Sequence, residues 1–229
     1  MKNTIEKLLI IIGILNIIVI SIFLTIPQTK ANYEPQQCQW KTDISKNENF
    51  VFLGDSITDW YPIEELYEDM PIVNSGKAGY KTQDILEEMD ELVYQYNPTK
   101  VVILIGTNDL NNDVPEDKML ENIEKIIKDI KKNRKKAKLY VQSIYPINNS
   151  DNDKINKDTV GVRTNETIQR VNKQIKKICK QQNVTYIDMY SELVDNEGNL
   201  ILKYTKDGLH ISELGYLKIT RILLSYLEN

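Results

Sequence analysis

The chain has 229 residues, 41% of them hydrophobic and 27% charged, with a formal net charge of −4. That length leaves one domain with a sizeable core beyond the N-terminal segment. The mild acidity argues against a nucleic-acid-binding protein, and two cysteines with a single histidine argue against a zinc site.

In chain order, Lys2 and Lys7 precede an uncharged run from Leu8 to Ile26. A run of about 18 or more apolar residues reads as a membrane span, whereas signal-peptide cores run about 7–15. The length favours a retained anchor, and a cleavage-like Thr29-Lys30-Ala31 keeps a removed signal peptide open. Lysines ahead of the run favour a cytoplasmic N-terminus and an outward-facing domain, so both readings export the domain. Residues 1–26 are thus expected as signal anchor or signal peptide, and 27–48 as a polar tether rich in Pro, Gln, Asn and Lys. The folded domain is expected over 49–229.

Within the domain, apolar runs alternate with helical patterns. Strands are expected at Phe50–Leu53, Ile72–Asn74, Val101–Ile105, Leu139–Ser143 and Thr185–Ile187, and helices at Thr82–Tyr96, Glu116–Lys132, Arg163–Gln182 and Ser212–Leu227. This order predicts an α/β fold with a parallel sheet of about five strands covered on both faces. In such sheets, reactive groups gather beyond the carboxyl ends of the strands. Strand one runs into Gly54-Asp55-Ser56, strand two into Ser75-Gly76-Lys77-Ala78-Gly79, and strand three into Gly106-Thr107-Asn108-Asp109. Ser56, Gly76 and Asn108 are therefore expected on one edge.

His210 is the only imidazole in the chain, and it lies in Asp207-Gly208-Leu209-His210. A serine hydroxyl becomes nucleophilic when a base takes its proton. Ser56 is the candidate nucleophile, His210 the base, and Asp207 the group that orients the imidazole. The oxyanion donors expected are the N–H groups of Ser56 and Gly76 and the side-chain amide of Asn108.

Four blocks resemble the SGNH (GDSL-type) hydrolases: Gly54-Asp55-Ser56-Ile57-Thr58, Asn74-Ser75-Gly76, Gly106-Thr107-Asn108-Asp109 and Asp207-Gly208-Leu209-His210. Ile211-Ser212-Glu213-Leu214-Gly215-Tyr216 resembles that family's approach to its last helix. The resemblance implies a flavodoxin-like three-layer α/β/α sandwich and serine esterase or acylhydrolase activity. It implies the same roles for Ser56, Gly76, Asn108, Asp207 and His210, and no metal or organic cofactor.

The remaining features carry softer expectations. Asn74 is read either as a local hydrogen-bonding residue beside the oxyanion site or as a turn residue, and Asp55 and Asp109 as loop-holding structural groups. Trp60, Tyr61, Tyr80, Tyr145 and Tyr204 are placed near the rim, as substrate contacts or as packing. Cys179 lies on an apolar helical stripe and reads as a core thiol, with a Cys38–Cys179 disulfide open to an exported protein. The basic stretch Lys125–Lys138 reads as a solvated helix end or as a surface for an anionic partner. Asn148–Thr159, rich in Asn, Asp and Lys, reads as a loop shaping substrate access or as a disordered insertion. It lacks the apolar stripe of a lid for long acyl chains, so a short acyl group such as acetyl on a polar carrier is expected. An O-acetylated glycan is the first substrate class, a lysophospholipid or other short ester the second. An acyltransferase using the same site and a non-catalytic binding module are the rival readings. The expected partners are the ester substrate and, through the N-terminal segment, a membrane. Oligomeric state is not read from the sequence.

Overall fold

The computed structural model describes residues 48–111 and 114–228. The expected membrane segment, Cys38 and all of the tether except Glu48 lie outside those residues. No helix among the described residues is long and apolar enough to cross a membrane.

The elements run β1 (Phe50–Gly54), α1 (Ser56–Asp59), α2 (Ile63–Leu66), β2 (Ile72–Gly76), α3 (Thr82–Glu87), α4 (Met89–Leu92), β3 (Lys100–Leu104), α5 (Glu116–Asn133) and β4 (Lys138–Gln142). They continue with α6 (Lys157–Val160), α7 (Asn165–Gln182), β5 (Thr185–Ile187), α8 (Tyr190–Leu193) and α9 (Glu213–Leu227). The five strands are parallel in the order β2-β1-β3-β4-β5. This is the flavodoxin-like order, and its switch point lies between β1 and β3.

Side chains alternate across each strand, which builds two cores. Val51, Leu53, Val101 and Ile103 face one side and pack with α3, α5 and α7, through Ile85, Ile123, Ile127, Val171 and Ile175. Phe50, Phe52, Val102 and Leu104 face the other and pack with α1, α2 and α9, through Ile57, Ile63, Tyr216 and Ile219. The central strands β1 and β3 are buried along their whole length, as uninterrupted apolar runs require when helices cover both faces.

Beyond one-residue shifts, the boundaries differ from expectation in three places. The single helix expected over Thr82–Tyr96 is broken at Glu88 (φ −120°, ψ 26°) and Val93 (φ −131°, ψ −55°). Helix α7 starts at Asn165 behind a Thr164 cap whose hydroxyl accepts from the Thr167 N–H, because Arg163 is drawn into the site instead. Strand β2 continues to Gly76, which pairs with Gly54 of β1.

Candidate active site

Ser56 is the first residue of α1, directly after the turn that ends β1. Asp55 caps that helix, its Oδ1 accepting the Ile57 N–H at 3.0 Å. Asp55 is fully buried and its Oδ2 has no partner among the described residues, and burial pushes the carboxyl up to about 7. Asp109 plays the structural part expected of it. Its carboxylate accepts the Thr82 N–H at 3.0 Å and the Thr82 hydroxyl at 2.6 Å, tying the β3 loop to α3.

Across the carboxyl edge, Ser56 Oγ lies 3.3 Å from His210 Nε2, and His210 Nδ1 lies 2.6 Å from Asp207 Oδ2. Asp207 Oδ1 accepts the N–H groups of Leu209 at 2.9 Å and His210 at 2.8 Å. Burial alone would raise this carboxyl. The hydrogen bonds from the His210 ring and from the two backbone N–H groups more than offset it and hold it at about 2. An ionised Asp207 accepts the hydrogen bond from Nδ1–H and so keeps the imidazole proton on Nδ1, which leaves the Nε2 lone pair facing the serine hydroxyl.

The loop bearing Asp207 is braced from two sides. Thr205 Oγ1 accepts the Gly208 N–H at 2.8 Å and donates to the His210 carbonyl at 2.9 Å. The segment Asn148–Thr159 is ordered, against the reading of it as a disordered insertion. The Asn148 N–H donates to the Gly208 carbonyl at 2.7 Å, and the Asn156 N–H to the Asp207 carbonyl at 2.8 Å. Ile155, and Val160 just beyond, pin it into the core. Gly208 has φ +103°, and a Cβ there would sit 2.6 Å from the Asn148 carbonyl oxygen, so the strap and the loop touch only because residue 208 is glycine.

The oxyanion set differs from expectation at one position. The Gly76 N–H already donates to Asn74 Oδ1 at 2.9 Å, and Gly76 is buried at the end of β2. A Cβ there would lie 2.1 Å from the Asp59 backbone nitrogen, so Gly76 is the residue that lets β2 press against α1. Asn74 clamps the same junction, its Nδ2 donating to the Thr58 carbonyl at 2.9 Å. Gly79, three residues on, is exposed, and its N–H has no acceptor among the described residues. The same holds for the Ser56 N–H at the start of α1. Gly79 adjoins Tyr80, whose carbonyl accepts from Asn108 Nδ2 at 3.0 Å. Spacing along the chain could have pointed to either glycine, and strand pairing decides between them.

Arg163, read from the sequence only as the start of a helix, is 4% exposed and ties the loop after β3 to the end of α6. Its guanidinium donates to the Thr107 carbonyl at 2.8 Å, to the Val160 carbonyl at 2.9 Å and to Asn108 Oδ1 at 3.1 Å. The last bond fixes which way the Asn108 amide points: oxygen to Arg163, nitrogen to the loop of Gly79 and Tyr80. Burial lowers the guanidinium pKa, and the nearby Asp55 carboxyl opposes that.

The aromatic residues divide. Trp60 is 47% exposed, and its ring lies 4.2 Å from the His210 ring, centroid to centroid. Tyr80 is half-buried at the rim and donates to Glu88. Tyr204 is half-buried beside the His210 loop, with the Lys203 amine over its ring. Tyr61 and Tyr145 are not substrate contacts. Tyr61 is buried, with its hydroxyl bonded to Tyr67 and Thr220, and Tyr145 is buried with its hydroxyl donating to Gln142. Cys179 is buried with no disulfide partner among the described residues, and burial pushes its thiol up to about 12.

A serine, an imidazole and a carboxylate in this order, with amide donors on the same edge, can carry acyl transfer through an acyl-enzyme. Comparison with known proteins agrees. Residues 52–218 match the GDSL-like Lipase/Acylhydrolase family. The chain is 36% identical to a solved structure from Streptococcus pneumonia named for platelet activating factor, with a TM-score of 0.74, covering 81% of this chain and 86% of that one. It is 25% identical over 191 residues to the platelet-activating factor acetylhydrolase IB subunit alpha1 of Pongo abelii, covering 80% of this chain and 76% of that protein. It is also 27% identical over 171 residues to an N-acylneuraminate cytidylyltransferase of Escherichia coli, but that match covers 73% of this chain and only 38% of that protein's length. The chain thus belongs to the GDSL-like lipase/acylhydrolase family, and it is a carboxylic ester hydrolase.

Proposed function

We propose that this hydrolase is exported, is held at a membrane by its N-terminal segment, and removes short acyl groups, acetyl first, from a polar carrier such as an envelope glycan. Ser56 Oγ attacks the ester carbonyl carbon while its proton passes to His210 Nε2, and Asp207 steadies the imidazolium. The oxyanion is received by the N–H groups of Ser56 and Gly79 and by Asn108 Nδ2, with Gly79 in the place first given to Gly76. The tetrahedral intermediate collapses as His210 returns the proton to the leaving alkoxide oxygen. Water then attacks the acyl-enzyme with His210 as base, releasing the acid and restoring Ser56.

The observation that carries this reading is the Ser56–His210–Asp207 relay, at 3.3 Å and 2.6 Å. The short acyl group is supported by the polar strap Asn148–Thr159 and by the use of Tyr61 and Tyr145 in packing, which leaves Trp60 as the aromatic beside the nucleophile. The similarity to an acetylhydrolase subunit points the same way. A second carrier, an acetyl ester on an amphiphilic lipid, is favoured by that relative's name. It is favoured too by the exposed Trp60, Val162, Leu202, Leu214 and Leu217, which sit on loops and helix ends around the carboxyl edge.

The test is a panel of aryl esters from acetyl to long-chain, with an acetylated glycan and an acetylated phospholipid beside them. The proposal expects the acetyl ester to be fastest, the glycan to be deacetylated, and Ser56→Ala to abolish turnover while keeping the fold. Full activity of Ser56→Ala would sink the mechanism. A preference for long chains would sink the substrate class, and transfer to an added sugar in place of free acid would assign the acyltransferase reading.

A further inference from the structure

The C-terminal ends of α5 and α7 come together at the amino edge of the sheet, opposite the Ser56 edge. Each helix feeds the start of a strand: α5 ends at Asn133 shortly before β4, and α7 at Gln182 shortly before β5. Lys131 Nζ bonds the Gln182 carbonyl, so the two ends touch. Val184 lines both a groove along α7, rimmed by Lys173, Lys177 and Lys180, and a cleft between Lys135 and Lys138.

Residues 130–150 carry six cations and no acid, and residues 167–187 carry five and no acid, in a chain of net charge −4. Lys132, Lys135, Lys136, Lys173, Lys177 and Lys180 are all exposed and form no ion pair among the described residues. The carboxylates that reach this region are engaged elsewhere. Glu48 pairs with Lys100, Glu124 with Lys128 and Gln182, and Asp129 with Tyr94 and Asn133. Glu228, at the end of α9, also lies at the amino edge, as do the exposed Glu68 and Asp69 ahead of β2 at the far side of the sheet. A helix C-terminus carries about half a negative charge, so two of them leave most of these cations uncompensated.

The described chain also begins at this edge. Glu48 meets Lys100 at the start of β3, and the Asn49 N–H donates to Thr99 Oγ1 at 3.1 Å. Residues 27–47 lead to it, and 21 residues reach at most about 70 Å. Residues 8–26, read as an anchor, are therefore joined to the domain at this basic edge.

We infer that the amino edge docks on the anionic lipid headgroups of the membrane that holds the N-terminal segment, turning the Ser56 edge away from the bilayer. The inference rests on the anchored reading above. It favours a carrier beyond the membrane surface over one within it.

The full chain is reconstituted with neutral phosphatidylcholine vesicles or with vesicles that also contain phosphatidylglycerol. Acylation of each lysine is then followed by mass spectrometry, a readout independent of hydrolysis. Docking slows labelling of Lys132, Lys135, Lys136, Lys177 and Lys180 on the anionic vesicles by about fivefold or more, because a cation near such a surface gains roughly that factor. Lys77, Lys81 and Lys203 near the Ser56 edge label at the same rate on both, and high salt removes the difference. The combined variant Lys132→Gln, Lys135→Gln, Lys136→Gln, Lys177→Gln and Lys180→Gln loses the anionic preference and keeps aryl acetate hydrolysis. Equal labelling on both vesicle types overturns the inference, as does protection of Lys203 and Lys206 instead. Equal protection by soluble polyphosphate without vesicles overturns the lipid and assigns a polyanion. Failure of the chain to float with neutral vesicles overturns the anchor alone, since docking is read on the anionic ones.

Discussion

Replacing Asp207 by Asn separates what this carboxylate does for catalysis from what it does for folding. In the wild type the carboxylate accepts three hydrogen bonds, one from the His210 ring at 2.6 Å and two from backbone N–H groups. Asn can still accept the two backbone bonds through its oxygen, so the loop keeps its shape. Its amide N–H then donates to Nδ1, which forces the proton onto Nε2 and leaves no lone pair for the Ser56 hydroxyl. In a triad that change costs about 10⁴-fold in kcat. The stability effect follows from the carboxyl being held at about 2 against an ordinary 3.8, worth ~2 kcal/mol at 1.36 kcal/mol per unit. Solvent around a side chain that is 25% exposed trims that figure. Because the folded value is depressed, this stabilisation is present above about pH 4 and is lost as the pH falls from about 4 to about 2. Steady-state hydrolysis of an aryl acetate reads the first effect, and urea unfolding across the acid range reads the second. Retention of kcat within about tenfold at neutral pH would refute the tautomer argument. An unchanged acid limb of stability would refute the electrostatic one.

Three further outcomes follow from the geometry. Arg163→Lys keeps the charge but loses the fork that holds Asn108 Oδ1. It should lower kcat by about a hundredfold with little change in KM, and adding Asn108→Ala should then cost little more, whereas independent losses that multiply would show that Arg163 does not act through Asn108. Gly76→Ala drives a Cβ into the Asp59 backbone and should lower the melting temperature by an amount worth about 1–3 kcal/mol. Gly79→Ala meets nothing within 4 Å, but its φ of +83° strains any L side chain, so it too should cost about 1–2 kcal/mol of stability; it should lower kcat more than Gly76→Ala does, and equal kcat in the two variants would reject the assignment of the oxyanion amide to Gly79. Asp55→Asn removes a buried carboxyl raised to about 7, whose charging opposes folding as the pH rises from about 4 to about 7. Its stability should fall less than that of the wild type across that window, and parallel unfolding curves would contradict the burial argument.

Much of the site was legible because its residues sit in short motifs at strand ends. Ser56, Asn108, Asp207 and His210 each follow an apolar run or precede a helix, and local pattern is enough to place such residues on one edge of a parallel sheet. Gly76 was misread because two glycines stand in one loop, and only the pairing of Gly76 with Gly54 shows that the first belongs to the strand. Tyr61 and Tyr145 were misread because an aromatic near a motif carries no sign of which way its ring turns. Arg163 was missed because the partner that brings it to the site, Asn108, lies 55 positions away in sequence.

The sequence by itself determined the sheet, the polarity of its edges, the serine and imidazole that meet at one of them, and the acid-free stretches at the ends of α5 and α7. These rest on periodicity and composition, which are local along the chain. The tertiary structure decided which amide is free to meet an oxyanion, what holds Asn108 in its working orientation, and that the strap Asn148–Thr159 braces the histidine loop. It also brought two basic helix ends to one surface. Those outcomes depend on which distant hydrogen-bonding groups are already satisfied, and a buried group chooses its partner only when packing has brought the candidates together.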